Sequence, residues 1–79
     1  MQAKEELLKR ITSNPDIFSG KPIIRGMRFP VSDILGLMAA GMSPDQIIEE
    51  FPFLEQEDFS AALLYASLSL SNTRIVYAA

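Results

Sequence analysis

The sequence contains no cysteine and no histidine among its 79 residues. Without cysteine there are no disulfides, thiol nucleophiles or thiolate metal ligands, and without histidine the commonest general base and metal ligand is missing. No apolar run approaches the ~20 residues that a membrane-spanning helix needs, and the charged start MQAKEELLKR is unlike a signal peptide. We therefore expect a protein of the reducing cytoplasm with no membrane span.

The residues that remain give little support for catalysis. The acidic residues between positions 45 and 58 fall where the faces and first turns of predicted helices place acids for ordinary reasons. Gly20 and Gly26 do not complete the Gly-x-x-x-x-Gly-Lys-Ser/Thr order of a phosphate-binding loop. We predict that the protein is not an enzyme and has no catalytic residues, metal site or cofactor.

Positive and negative charges are separated along the chain. Residues 1–31 carry six cations and three acids, whereas residues 32–79 carry seven acids and a single cation, Arg74. Such a distribution creates two faces that suit different partners or head-to-tail self-association, although it is also compatible with ordinary solvated surface. A chain of this length has a small core that self-association would extend, so we expect a homodimer.

The run SGKPIIRGMRFPV, residues 19–31, predicts a basic β-hairpin. Its two arms lie on either side of a turn at residues 25–27, where Gly26 can adopt a positive φ, and a brief strand is also expected at residues 11–13. The turn is expected to project Arg25 away from the core, which makes Arg25 the leading candidate for a binding contact beside Lys21 and Arg28. The alternative is that these cations only keep an exposed edge strand soluble.

Three helices follow the hairpin. The first is predicted over residues 33–40, with Ser32 as its N-cap and Gly41 in the left-handed conformation that often ends a helix. The second begins with Ser43 as N-cap and Pro44 as its first residue, and it ends at Pro52. The third begins near residue 55 and continues to residue 70 at helical spacing.

These elements predict one mainly α domain over residues 1–79. It consists of a basic strand and hairpin region (11–31), a tri-helical bundle of the helix-turn-helix, homeodomain-like kind (32–70) and a tail (71–79). On that template helix 55–70 is the recognition helix, but its first turn presents Glu55, Glu57 and Asp58, which repel a phosphate backbone. We therefore expect any DNA contact through the hairpin, which can enter a major groove.

Three motifs resemble one known family. The blocks GKPIIRGMRFPV, AGMSPDQI and FPFLEQEDFSAALLYA together are similar to the domain of unknown function 433 family, over about residues 11–66. This family consists of small prokaryotic proteins with a homeodomain-like helix-turn-helix, often described as VapB-type antitoxins and often encoded beside a PIN-like ribonuclease. The resemblance implies an antitoxin that neutralises such a ribonuclease and can repress its own operon. It transfers no catalytic residues.

The resemblance also implies how the partner is bound. PIN-type nucleases use a carboxylate cluster with Mg²⁺, and an antitoxin typically inserts a cation or a hydrophobic segment there. The cation candidates in this sequence are Arg25, Arg28 and Arg74, and the hydrophobic candidates are Ile75, Val76 and Tyr77.

Two other functions stay open from the sequence. One is a dimeric transcription regulator whose hairpins contact operator DNA through Lys21 and Arg28. The other is a structural adaptor with no nucleic-acid role, whose acidic helices bind a different partner.

Overall fold

The computed structural model describes residues 3–71 as a mainly α protein with a short antiparallel sheet near its N-terminus. The elements in chain order are α1 (Lys4–Leu8), β1 (Ile11–Thr12), a 3-10 helix (Phe18–Gly20), β2 (Ile23–Ile24), α2 (Val31–Ala39), α3 (Pro44–Glu50) and α4 (Gln56–Leu70). The predicted fold class, helices preceded by a hairpin, is confirmed.

The sheet pairs β1 with β2, with Ile11 opposite Ile24. The predicted turn at residues 25–27 is also present, because the Ile24 N–H donates to the Phe29 carbonyl oxygen at 3.0 Å and Gly26 has a φ of +73°. The second arm of this hairpin forms only an isolated bridge between Ile23 and Pro30. Proline has no N–H to donate, so the arm does not extend into a regular strand.

Helix α2 begins earlier than the sequence predicts. Its N-cap is Pro30 and its first residue is Val31, so Ser32 lies inside the helix and the prediction that Ser32 caps it is wrong. Val31 is buried, and the Asp33 N–H already donates to the Pro30 carbonyl oxygen at 3.0 Å. The chain therefore turns into the helix directly from the hairpin, as core burial of Val31 requires.

The junction between α2 and α3 agrees with its predicted signals. Gly41 has a φ of +100°, and the Met42 N–H donates to the Leu37 carbonyl oxygen at 3.2 Å, which is the bond of a Schellman motif. Ser43 then forms a capping box, since its hydroxyl accepts from the Gln46 N–H and the Gln46 side chain accepts from the Ser43 N–H. Local hydrogen bonds therefore satisfy backbone carbonyls at the end of α2 and backbone N–H groups at the start of α3.

The hairpin and the helices share one core. Helices α1, α2 and α3 all contact α4, and aromatic rings join the hairpin to the α3–α4 link, with Phe29 and Phe51 centroids 5.0 Å apart. The buried hydrophobic residues are Ile23, Ile24, Phe29, Val31, Ile34, Ile47, Leu54, Phe59, Ala61 and Ala62. Because β2 supplies two completely buried isoleucines, the hairpin is part of the core and not an appended arm.

Of the helices within residues 3–71, none has the length and apolar character needed to cross a membrane.

Candidate functional site

A buried carboxylate lies at the start of α4. Asp58 has no solvent exposure, and its two oxygens accept four hydrogen bonds. Arg25 donates from Nε at 3.1 Å and from Nη2 at 2.9 Å, Arg10 donates from Nη1 at 3.0 Å, and the Glu55 N–H donates at 2.8 Å. The negative charge is thus surrounded by donors from three separate parts of the chain.

Two further acids complete this group. Arg10 also donates to Glu55 at 2.7 Å and to Glu57 at 3.3 Å. We call these five residues the Asp58 cluster: Arg10, Arg25, Glu55, Glu57 and Asp58. The cluster ties the segment between α1 and β1, the turn after β2 and the first turn of α4 to one another.

The cluster changes the ionisation of its members in a consistent direction. Burial by itself raises the pKa of Asp58, but the hydrogen bonds from Arg25, from the Glu55 N–H and from Arg10 outweigh it, and the pKa lies below its ordinary value. The hydrogen bond to Glu55 raises the pKa of Arg10, and the hydrogen bond to Asp58 raises the pKa of Arg25. All three groups are therefore charged at neutral pH.

The expectation that the turn projects Arg25 away from the core is wrong. Arg25 has a φ of +44°, and its side chain folds onto Asp58 and donates to the Phe53 carbonyl oxygen at 2.8 Å. The physical reason is that a buried carboxylate requires a compensating cation. The signal was present in the sequence, because Asp58 lies four residues before Ala62 and therefore on the apolar side of α4.

The other two cations of the hairpin region are exposed. The side chains of Lys21 and Arg28 have no ion-pair or hydrogen-bond partner among residues 3–71. Arg25, in contrast, is only partly exposed and is held in the Asp58 cluster. The other candidates, Arg74, Ile75, Val76 and Tyr77, lie outside the described residues.

An apolar groove lies between the start of β2, helix α2 and the C-terminal half of α4. Its volume is about 390 Å³. Among the described residues that line it, Lys21 is the one charged side chain. The apolar walls come from Pro22, Val31, Leu35, Tyr65, Ala66 and Leu70. The groove can accept an apolar segment while a cation stands beside it, a combination that the sequence did not reveal.

No metal centre is formed within residues 3–71, where no three acidic, histidine or cysteine side chains are grouped to hold an ion. The acids at the start of α4 face arginines instead.

The family model named "Protein of unknown function (DUF433)" matches residues 11–66. The chain belongs to the DUF433 family. The matched segment runs from β1 into α4, so it includes both Arg25 and Asp58, whereas Arg10 lies one residue before it. The predicted family resemblance is thereby confirmed.

One relative is an uncharacterized protein named y4eO from Sinorhizobium fredii (strain NBRC 101917 / NGR234). The two chains are 43% identical over 56 residues, which cover 71% of this chain and 25% of y4eO. The chain therefore spans about a quarter of the length of this relative. No solved structure matches the chain significantly.

Proposed function

We propose that this DUF433 protein is a cytoplasmic, antitoxin-like binding protein that neutralises a PIN-like ribonuclease encoded beside it. The observation that supports the proposal is the apolar groove with Lys21 in its lining. A partner that offers an apolar segment close to carboxylates fits such a surface, and the active site of a PIN-type nuclease carries a carboxylate cluster.

Lys21 is the cation best placed for this role. Its side chain is exposed and has no partner among residues 3–71, so it can meet a partner's carboxylate without breaking an internal contact. Arg25, in contrast, is bound to Asp58, and removing one member of a buried ion pair costs about 3–5 kcal/mol. Arg28 is exposed like Lys21 and is the second candidate.

Binding of the neighbouring nuclease to charge-reversal variants tests this proposal. We expect Lys21→Glu to weaken the complex by about tenfold or more, since it places an acid opposite the nuclease carboxylates. Lys9→Glu is the matched control: Lys9 is also exposed, the change in charge is the same, and Lys9 does not line the groove. Equal affinities for both variants would contradict the assignment of Lys21.

Repression of its own operon is the second candidate function, and the exposure of both Lys21 and Arg28 favours it. If these cations contact phosphates, affinity for the upstream DNA falls steeply with salt, by a slope of about 0.9 per neutralised phosphate. We expect the double variant Lys21→Ala/Arg28→Ala to flatten that slope in a mobility-shift titration. Binding of DNA that is independent of salt would contradict operator recognition by these residues. If the wild-type chain binds neither the nuclease nor the DNA, the structural adaptor is the function that remains.

A further inference from the structure

The apolar groove lies beside the end of α4, where the tail begins. Tyr65, Ala66 and Leu70 of α4 form one wall of the groove. Leu70, in the last turn of the helix, is 55% exposed, although its side chain is large and apolar. The apolar surface of the groove therefore extends to the point where the chain leaves the helix.

The residues that follow α4 have the composition of an apolar extended segment. Residues 72–79 read NTRIVYAA, and Arg74 is the one charged residue among them. Three consecutive residues of the segment are β-branched or aromatic: Ile75, Val76 and Tyr77. Such residues favour extended conformations over helix and pack well on apolar surfaces.

This segment is long enough to return to the groove. Asn72 follows the C-cap residue Ser71, and asparagine often adopts the left-handed conformation that ends a helix and redirects the chain. Four extended residues from Ser71 to Ile75 span about 13 Å. The helix rises only about 9 Å over the six residues from Tyr65 to Ser71, so Ile75 can reach back along α4 as far as Tyr65.

A segment attached at the end of the groove also has an advantage over a free partner. A short connection gives a tethered segment an effective concentration in the millimolar range. Even a weak apolar contact, with a dissociation constant below a millimolar, would then fill the groove for most of the time.

The charge in the groove selects which side chains enter it. Lys21 is the one charged side chain among the described residues that line the groove, and it would repel Arg74. Alternate side chains of an extended segment share a face. If Arg74 points away from the groove, Val76 does so as well, and Ile75 and Tyr77 point inward.

We propose that residues 72–79 fold back along α4 and occupy the apolar groove of their own chain, with Ile75 and Tyr77 directed into it. This contact does not depend on the antitoxin function. Where a nuclease binds the groove, its segment has to displace the tail, so the tail competes with the partner for the same surface.

Nuclear magnetic resonance of the full chain tests this contact directly. We expect nuclear Overhauser effects that join Ile75 and Tyr77 to the methyl groups of Leu35 in the groove. Ile75→Ser should shift the Leu35 methyl resonances, because it removes an apolar side chain from the groove. Val76→Ser is the matched control, since it shortens the next apolar side chain on the outward face and should leave those resonances in place.

Three outcomes overturn the proposal. One is the absence of any Overhauser effect between residues 75–77 and the groove, and another is an equal shift of the Leu35 resonances in both variants. The third is an Overhauser effect found only between differently labelled chains in a mixed sample, which would place the tail of a second copy in the groove.

Nuclease binding supplies an independent outcome. If the tail fills the groove at least half of the time, Ile75→Ser should strengthen nuclease binding about twofold or more, because a larger fraction of the chain is competent to bind. Weaker binding would overturn the proposal and assign Ile75 to the nuclease interface. A nuclease that does not bind even the wild-type chain would refute the antitoxin function alone, since the resonance experiment decides the position of the tail without it.

Discussion

Replacing Asp58 by asparagine removes the buried negative charge at the centre of the Asp58 cluster with the smallest change of side-chain shape. The amide keeps one acceptor oxygen, but an NH₂ group replaces the other oxygen. This NH₂ group then faces the guanidinium N–H groups from which the carboxylate oxygen accepted hydrogen bonds. Breaking a buried ion pair from one side costs about 3–5 kcal/mol, and the retained acceptor places Asp58→Asn near the lower limit, about 3 kcal/mol. A domain of this size has about 5–15 kcal/mol of stability in total.

The assay is thermal unfolding followed by circular dichroism. At about 4–8 °C per kcal/mol for a small domain, Asp58→Asn is expected to lower Tm by about 12–24 °C. Glu57→Gln is the first control, because Glu57 is 46% exposed, contacts Arg10 at 3.3 Å and is expected to contribute less than about 1 kcal/mol. Asp33→Asn is the second control, an exposed acid without a cation partner among residues 3–71.

A change in Tm for Asp58→Asn as small as that for Asp33→Asn would refute this reasoning. It would mean that the arginines find equivalent partners in Glu55 and Glu57, and that burial of the Asp58 charge contributes nothing to stability.

The other predictions also concern stability. The folded-state pKa of Asp58 is lower than its ordinary value, so the contribution of Asp58 to stability is fully present above about pH 4 and is lost as pH falls through the folded pKa. In urea unfolding, the difference in free energy of unfolding between the wild type and Asp58→Asn should therefore shrink from pH 7 to about pH 2. Ser43→Ala removes the capping box of α3 and should cost about 1 kcal/mol in urea unfolding. Gly41→Ala should destabilise the protein by about 1 kcal/mol, because Gly41 has a φ of +100°. Gly36→Ala should stabilise the protein by a similar amount, because Gly36 lies inside α2 with open space around it. Equal changes in Tm for the two variants would contradict this pair of predictions.

Local sequence signals were sufficient for much of the fold. Ser43, Pro44 and Gly41 act through hydrogen bonds or backbone angles within a few residues, and the boundaries they predict agree with the structure. The start of α2 was misplaced because two signals compete there. Ser32 is a good N-cap by propensity, but burial of Val31 determines where the chain turns into the helix.

The candidate site was less predictable because its parts are far apart in the sequence. Arg25 and Asp58 are separated by 33 positions, and nothing near Arg25 indicates that its side chain turns inward. Asp58 on the apolar side of α4 predicts that some cation must compensate it, but not which one. The groove was not predictable for the same reason, since its lining residues Lys21 and Tyr65 are far apart in the sequence and become neighbours only when β2 and α2 pack on α4.

The antitoxin proposal is tested most directly by titrating the purified neighbouring nuclease with the full chain while RNA cleavage is measured. The proposal predicts that cleavage falls to background at a stoichiometric ratio. Unchanged cleavage at about a tenfold molar excess of folded chain, well above the dissociation constant of a functional complex, would contradict it.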